Sequence, residues 1–324
     1  MGKYVLKRIG QALIVLLLAY TLAFFLLSAL PSDGVAARYA DPALGLSQAE
    51  IDQIREQMGV DKPLLEQYFS TLAGLFTGDL GYSVASGTPV ADLITDAAPH
   101  TFALAAASIG LAIVVALATA YVATLPGAGA LRSAVRSLPS FTVSLPGFWI
   151  AILLLQFFSF RLGWVNVVDP TPLEGLILPT LTLAVPMAAP LMQVLIRSID
   201  EVRAQPFVQV VRARGASEAR IFWRDVLRNS LLPAITMAGL LFGELVGGAV
   251  VTETVFGRAG LGSLTVNAVS SRDMPVLLGV VLIAATAYVV INLIVDLLYP
   301  VLDVRLRDAG NATGTATTAK EAVR

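Results

Sequence analysis

The chain has no cysteine and a single histidine, His100, among its 324 residues. The first absence excludes disulfides, thiolate-held zinc and iron–sulfur clusters. The second excludes a multi-histidine metal centre and a His–His proton relay, so no metal site is expected and only carboxylates could serve catalysis within the spans. Charge is also scarce: 14% of residues are Asp, Glu, Lys or Arg, well under the roughly 25% of soluble domains. No Gly-x-x-x-x-Gly-Lys-Ser/Thr stretch occurs, the only Gly-Lys pair being Gly2-Lys3, so no P-loop nucleotide site is carried here. A net charge of −1 gives no reason to expect a nucleic-acid partner.

Apolar sequence is abundant. Hydrophobic residues make up 56% of the chain and the mean hydropathy is +0.76. Six runs are long enough to cross a bilayer: Ile9–Leu30, Thr101–Leu125, Phe141–Phe160, Ile177–Ile196, Leu231–Val255 and Val276–Val301. The first is too long for a typical signal-peptide core and has no small-x-small cleavage site after it, so it reads as a retained span. The third is interrupted by Pro146-Gly147, and the fourth carries Pro179, Pro186 and Pro190. Proline in a span is tolerable where neighbouring helices satisfy the freed carbonyls. The expectation is an all-α integral membrane protein with a multi-pass topology in the lipid bilayer.

Sixteen of the 22 Lys and Arg residues lie in 1–8, 126–140, 197–230 and 302–324. The positive-inside bias therefore places both termini in the cytoplasm. The layout is a cytoplasmic end and first span over 1–30, an extracytoplasmic helical insert over 31–100, a five-span core over 101–308 and a disordered tail over 309–324. The insert is acidic. Its sequence Ser47-Gln-Ala-Glu50 is a capping box opening a helix that Gly59 ends, and Pro63 starts a second, amphipathic stretch from Leu64 to Phe76. These helices pack on the membrane part or lie along its surface.

The most charged long stretch is the cytoplasmic loop 198–232. It reads as helix, glycine turn, helix: Pro206 suits a first turn, Gly215 the position past a helix end, and Ser217 the cap of a second helix from Glu218. Such a hairpin either grips a partner or only sets topology through its arginines. Arg220, Arg224 and Arg228 form a stripe suited to anionic headgroups, with Ile221, Phe222, Trp223, Val226 and Leu227 on the apolar side.

Within the spans, Gly239, Gly243 and Gly247 repeat every four residues and align on one helix face. They form either a packing seam or the scattered small residues common in membrane helices. Glu244 lies near the middle of the same span. An intramembrane carboxylate faces a cavity and a cationic solute, or makes a structural hydrogen bond. Asn292 and Asp296 share a face of the last span and suit helix packing or anchoring. Glu253, near an outer helix end, suits a cap or a pair.

The run FVQVVRARGASEARIFWRDVLRNSLLPAI resembles the cytoplasmic loop of binding-protein-dependent ABC importer permeases. GGAVVTETVFGRAGLGSL, NLIVDLLYPVLDVRLR and the N-terminal YVLKRIGQALIVLLLAYTLAFFLLSALPSD, MGVDKPLLEQYFSTLAGLFTGDLGYS and TPVADLITDAAPHT are similar to the first permease subunit of the dipeptide/oligopeptide/nickel subfamily. The resemblance covers nearly all of 1–308, in order. It implies a six-span type I ABC importer fold and a subunit that forms half of a translocation pathway for peptides or similar small polar solutes. The implied partners are a second, homologous permease, two ABC ATPases and an extracytoplasmic substrate-binding protein. No cofactor is expected on this chain, and ATP and Mg belong to the ATPase subunits.

By the same resemblance, the coupling contact falls on Gln209, Val211, Arg212, Ala213, Arg214, Gly215, Ala216, Ser217 and Glu218. The family's Glu-Ala-Ala-x-x-x-Gly motif aligns on Gln209, Val210, Val211 and Gly215, so its acid is replaced by Gln209. A small residue is expected where Glu244 stands, which marks Glu244 as a substrate-contact candidate. Two other classes are weaker. A self-contained secondary transporter would show internal repeats and midplane coupling-ion residues. An intramembrane enzyme would need a nucleophile–base pair or metal cluster.

Overall fold

The computed structural model describes residues 2–29, 34–39, 45, 47–57, 59, 61–125 and 129–302. The tail expected over 309–324 lies outside these residues. Twelve helices follow in order: α1 Gly2–Ser28, α2 Gly34–Tyr39, α3 Gln48–Gln57, α4 Leu64–Thr77, α5 Val90–Thr124, α6 Gly129–Val143, α7 Gly147–Arg161, α8 Glu174–Arg203, α9 Pro206–Ala213, α10 Glu218–Val255, α11 Leu261–Ser270 and α12 Met274–Leu302.

Among them α1, α5, α8, α10 and α12 are long and apolar enough to cross a membrane. The expected third span is not one rod. It is the pair α6 and α7, which meet at 102°. Pro146 causes the break: it has no N–H to continue α6, and it pushes the residue before it out of helical conformation. Pro146 then takes an extended backbone (ψ 132°) and opens α7. The second span also differs. It begins at Val90 rather than Thr101 and runs through Pro99, so its outer end belongs to the insert.

The bundle centres on α8, which packs between α5 and α10. On α5 the contact is a face of small residues: Ala105, Ala112, Ala116, Ala120 and Ala123 are each 3% exposed or less. Lipid offers no hydrophobic drive between spans, so close backbone approach and dispersion hold this contact. Met187, Leu191, Met192, Leu195 and Ile199 of α8 and Leu241, Phe242 and Leu245 of α10 complete the core.

The three prolines of α8 leave it continuous. Pro179 cannot donate to the carbonyl of Gly175, and the Arg258 guanidinium, from the turn after α10, donates to that carbonyl instead. At the cytoplasmic end, Arg136 of α6 donates from Nε to the Ala123 carbonyl near the end of α5 (3.0 Å) and from Nη2 to both carboxylate oxygens of Asp200 of α8 (each 2.8 Å). A guanidinium on a terminal helix carbonyl satisfies one of the acceptors a helix end leaves open.

The outer end holds a helix not foreseen in the sequence, α11. Its amino terminus is closed by Glu253, 1% exposed, whose carboxylate accepts from the backbone N–H of Gly262 (2.7 Å) and Ser263 (3.2 Å) and from the Thr101 hydroxyl (2.5 Å). Thr101 in turn accepts from Leu261 N–H (2.8 Å). One carboxylate thus ties α10, α11 and α5. Asp273, 2% exposed, plays a similar part between α11 and α12: it accepts from Ser83 Oγ (2.5 Å) and Ala85 N–H (3.1 Å), pinning the end of the insert. Elsewhere in the insert Ser47 and Glu50 exchange the hydrogen bonds of a capping box, and Gly59 has φ +66°. Helix α4 packs on α1 and α12 through Tyr20, Phe24 and Leu278.

Candidate functional site

The loop 198–232 folds as a compact hairpin on the cytoplasmic end of the core. Helix α8 ends at Arg203, and after Ala204 and Gln205 the chain turns into α9 with Pro206 at its first position. Gly215 sits past the end of α9 with φ +82°, a backbone that a residue with a Cβ adopts only under strain, and its N–H donates to the Arg212 carbonyl (3.0 Å). Ser217 then caps α10, accepting from the N–H of Arg220 (3.3 Å).

Two devices hold α9 down. Val208 is fully buried among the core residues Ile199, Val202, Ile221, Phe222 and Val226, with Val211 and Ala216 packed partly against them. Glu218 binds both neighbours: Arg212 Nε donates to it at 2.8 Å and Arg203 Nη1 at 3.2 Å. This acid therefore fastens the end of α8, the α9 helix and the start of α10 to one another. The Arg212 hydrogen bond, with the charges of Arg212 and Arg203, holds the Glu218 carboxyl below the usual carboxylate range.

With Val208 and Val211 turned inward, the opposite face of α9 is open. Phe207 is 37% and Val210 55% exposed, and Gln209, Arg212, Ala213, Arg214 and Gly215 are exposed around them. Of the residues expected to couple, Val211, Ala216 and Glu218 support the hairpin from within, whereas Gln209, Arg212, Ala213, Arg214, Gly215 and Ser217 lie at the surface. Phe207 and Val210 were not among the residues expected to couple; they are three apart on one helical face, with Phe207 also one turn before Val211 and so at the edge of the buried side. On the first turns of α10, Ile221, Phe222, Val226 and Leu227 are buried while Arg220, Arg224 and Arg228 are exposed. Trp223, grouped with the apolar side, is 53% exposed and stacks on Tyr121 at 5.9 Å. Beside the hairpin, Arg136, Gln193, Ile196, Arg197 and Asp200 line an open groove of about 370 Å³.

Inside the span region of α10, the glycines are not equivalent. A Cβ at Gly239 would lie 3.1 Å from Val295, and one at Gly243 3.1 Å from Tyr288, both on α12. Gly247 has nothing within 4 Å of that position. Glu244 is exposed beside Gly243 and Gly247, on a face continued by Leu240 and Val251. Its carboxylate makes no hydrogen bond or ion pair among the described residues. Asn292 donates to the Tyr288 carbonyl of its own helix (2.8 Å), while Asp296 pairs with Arg8 of α1 (3.1 Å).

Comparison with known proteins matches this arrangement to one family along almost the whole chain. The family of binding-protein-dependent transport system inner membrane components matches residues 109–308, and the N-terminal family of such membrane components matches residues 1–105. A putative peptide permease protein of Brucella suis biovar 1 is 34% identical over 318 residues, covering 95% of this chain and 99% of that protein. A glutathione transport system permease protein of Escherichia coli O6:H1 is 34% identical over 312 residues, with 95% and 99% covered. In fold, the chain is similar to one from inward-facing conformations of the MetNI methionine ABC transporter, with a TM-score of 0.54 and 18% identity over 65% of this chain and 96% of that one. The five long apolar helices with the bent pair α6 and α7, the cytoplasmic hairpin and these matches together make the chain a member of the binding-protein-dependent transport system inner membrane component family, a multi-pass permease subunit and not an enzyme.

Proposed function

We propose that this chain forms half of the translocation pathway of an ATP-driven importer for peptides or similar small polar solutes, with a second, homologous permease supplying the other half. Two ABC ATPases, which bind ATP and Mg, act from the cytoplasm, and an extracytoplasmic binding protein delivers the solute. The observation that carries this reading is the geometry of α9. It is anchored from beneath by buried Val208 and by the Glu218 ion pairs, and it presents Phe207 and Val210 outward with Gln209 and Arg214 beside them. An apolar knob with a polar rim on a rigid base is what a groove on a partner protein grips.

Because α9 is fastened to both α8 and α10, a displacement of α9 is carried into two spans at once. Alternating access then follows as a rigid-body switch: closure of the ATPases draws the hairpins together and the spans exchange one packing for another. Glu244 is assigned to the pathway. It is exposed on a face of α10 that is uncovered among the described residues, and a carboxylate there suits the ammonium of a free amine.

The test is a Phe207→Glu, Val210→Glu double variant expressed with the partner subunits. Membrane insertion is expected to be normal and co-purification of the ATPases to be lost; ATPases retained at the wild-type level would overturn the coupling assignment. For Glu244, the Glu244→Gln variant is expected to slow uptake of free-amine peptides more than that of N-acetylated ones. Equal slowing of the two, or no slowing of either, would remove Glu244 from the pathway.

A further inference from the structure

Helix α4 belongs to the polar insert by sequence, yet it sits against the spans. The Arg8–Asp296 ion pair (3.1 Å) joins α1 to α12 and marks where charge meets one face of the bilayer. A hydrocarbon core of about 30 Å at about 1.5 Å per residue is crossed in about 20 residues. Counted from Arg8, that distance ends at Ser28, where α1 itself stops. Counted back from Asp296, it ends at Val276, just inside the start of α12. Two helices thus set the opposite boundary at matching places.

Against this ruler α4 lies within the hydrocarbon. The Tyr20 hydroxyl donates to the Tyr68 carbonyl of α4 (2.7 Å), and Thr21 Oγ1 lies 2.9 Å from the Tyr68 hydroxyl. Tyr20 is about 12 Å inward from Ser28 along α1. On the other side, Leu278 and Leu282 of α12 join the same cluster as Tyr68, Leu72 and Leu75. They lie about 3 and 9 Å inward from Val276 along α12. The Tyr20 hydroxyl, 1% exposed as a residue, finds its partner in α4 rather than in water, as a polar group at that depth must.

The outward face of α4 carries the same message. Leu65 is 62%, Phe69 63% and Phe76 86% exposed. Leu18, Leu22, Phe25 and Leu26 of α1 are likewise exposed, and Phe25 stacks directly on Tyr68 of α4 at 5.7 Å. Glu66, the only charge in α4, is in its first turn and is paired with Lys62 (3.1 Å). A helix of 14 residues is too short to span, and a single-leaflet position is the solution open to it.

We propose that α4 is embedded in the leaflet opposite Arg8, with Leu65, Phe69 and Phe76 in contact with lipid acyl chains. It fills the groove between α1 and α12 and roots the insert in the membrane. This rests on the membrane-spanning reading of α1 and α12, and the test separates the two.

The chain has no cysteine, so single nitroxide labels can be placed on it without altering any of its own thiols, with the partner subunits carried in cysteine-free form. Phe69→Cys and Phe76→Cys variants of the whole transporter, labelled and reconstituted into phosphatidylcholine–phosphatidylglycerol vesicles, are compared with Leu18→Cys on α1 and Ser86→Cys on the exposed insert loop. The expected result is oxygen collision exceeding nickel-chelate collision at positions 69 and 76, as at 18, and the reverse at 86. Nickel access at 69 and 76 with none at 18 would overturn the proposal alone. Exclusion of both reagents at 69 and 76 would show a protein partner on this face and overturn it equally. Nickel access at 18 as well would overturn the span reading and the proposal with it. As a second readout, Phe69→Trp is expected to become quenchable by brominated acyl chains above the background of Trp149, Trp164 and Trp223, and no added quenching would count against lipid contact.

Discussion

Arg258 occupies the hydrogen-bonding place that Pro179 vacates. The Gly175 carbonyl, left without its helical donor by the proline ring, accepts from the arginine of a turn 83 residues away. This joins the amino-terminal end of α8 to the outer end of α10.

A double-variant cycle tests that relationship. Arg258→Met alone is expected to cost about 1–3 kcal/mol through the orphaned carbonyl. In a Pro179→Ala background the helix supplies its own N–H to Gly175, so the same change should cost clearly less. Thermal unfolding in detergent reads both, and equal costs in the two backgrounds would show that the arginine acts elsewhere.

Removal of the Glu253 carboxylate should strand several donors at once. The Gly262 and Ser263 N–H groups and the Thr101 hydroxyl all point at it. Glu253→Ala is expected to destabilise by about 3 kcal/mol or more. Gly260→Ala should be nearly as harmful, because a Cβ there would lie 2.4 Å from that carboxylate. A lowered unfolding midpoint for both, with a smaller shift for Gly247→Ala, is the expected pattern; Gly247 has open space at the same position.

Glu218→Gln should loosen the hairpin without unfolding the bundle. Arg203, 13% exposed at its side chain, would lose its charged partner. Faster backbone hydrogen exchange over 204–217, with unchanged exchange in α5 and α8, would report it. The ion pairs depress the Glu218 carboxyl below its ordinary 4.5. A depressed acid contributes stability that is complete above its unfolded value and is lost as pH falls through the folded one. Hairpin protection should therefore hold from neutral pH down to about 4.5 and decline only below it.

Asp273→Asn should release the end of the insert. Ser83 and Ala85 donate to this carboxylate from the loop that precedes α5. Increased hydrogen exchange confined to 79–89 is expected, and protection equal to wild type would mean that the backbone pairs of that loop suffice on their own.

The local features of this fold were readable in the sequence because they are chemical signals at short range. Pro206, Gly215 and Ser217 mark the hairpin, Ser47 and Glu50 mark α3, and the apolar runs mark the spans. What escaped depends on contacts distant in sequence. Pro146 announced a break but not an angle of 102°. Helix α11 follows a glycine-rich turn, and the acid that opens it, Glu253, comes from the end of another helix. The inward phase of Val208 and Val211, which leaves Phe207 and Val210 free, became clear only when the core beneath α9 was known. Glu244 stood out as a lone acid in an apolar run, but its neighbours are set by the fold and not by its own helix.

Glu218 and Glu253 terminate the same helix. Both are anchor points, one fastening the cytoplasmic hairpin and the other the outer assembly of α5 and α11. They are 35 residues apart, and the rod between them is about 50 Å long. No loop interrupts it; a single widened turn at Ile221–Val226 sits just inside the lower anchor. The rod is held at both ends by these carboxylates and packed between them against α8. The fastening on one face of the membrane and the fastening on the other are thus joined by a single covalent element rather than by a relay of side chains.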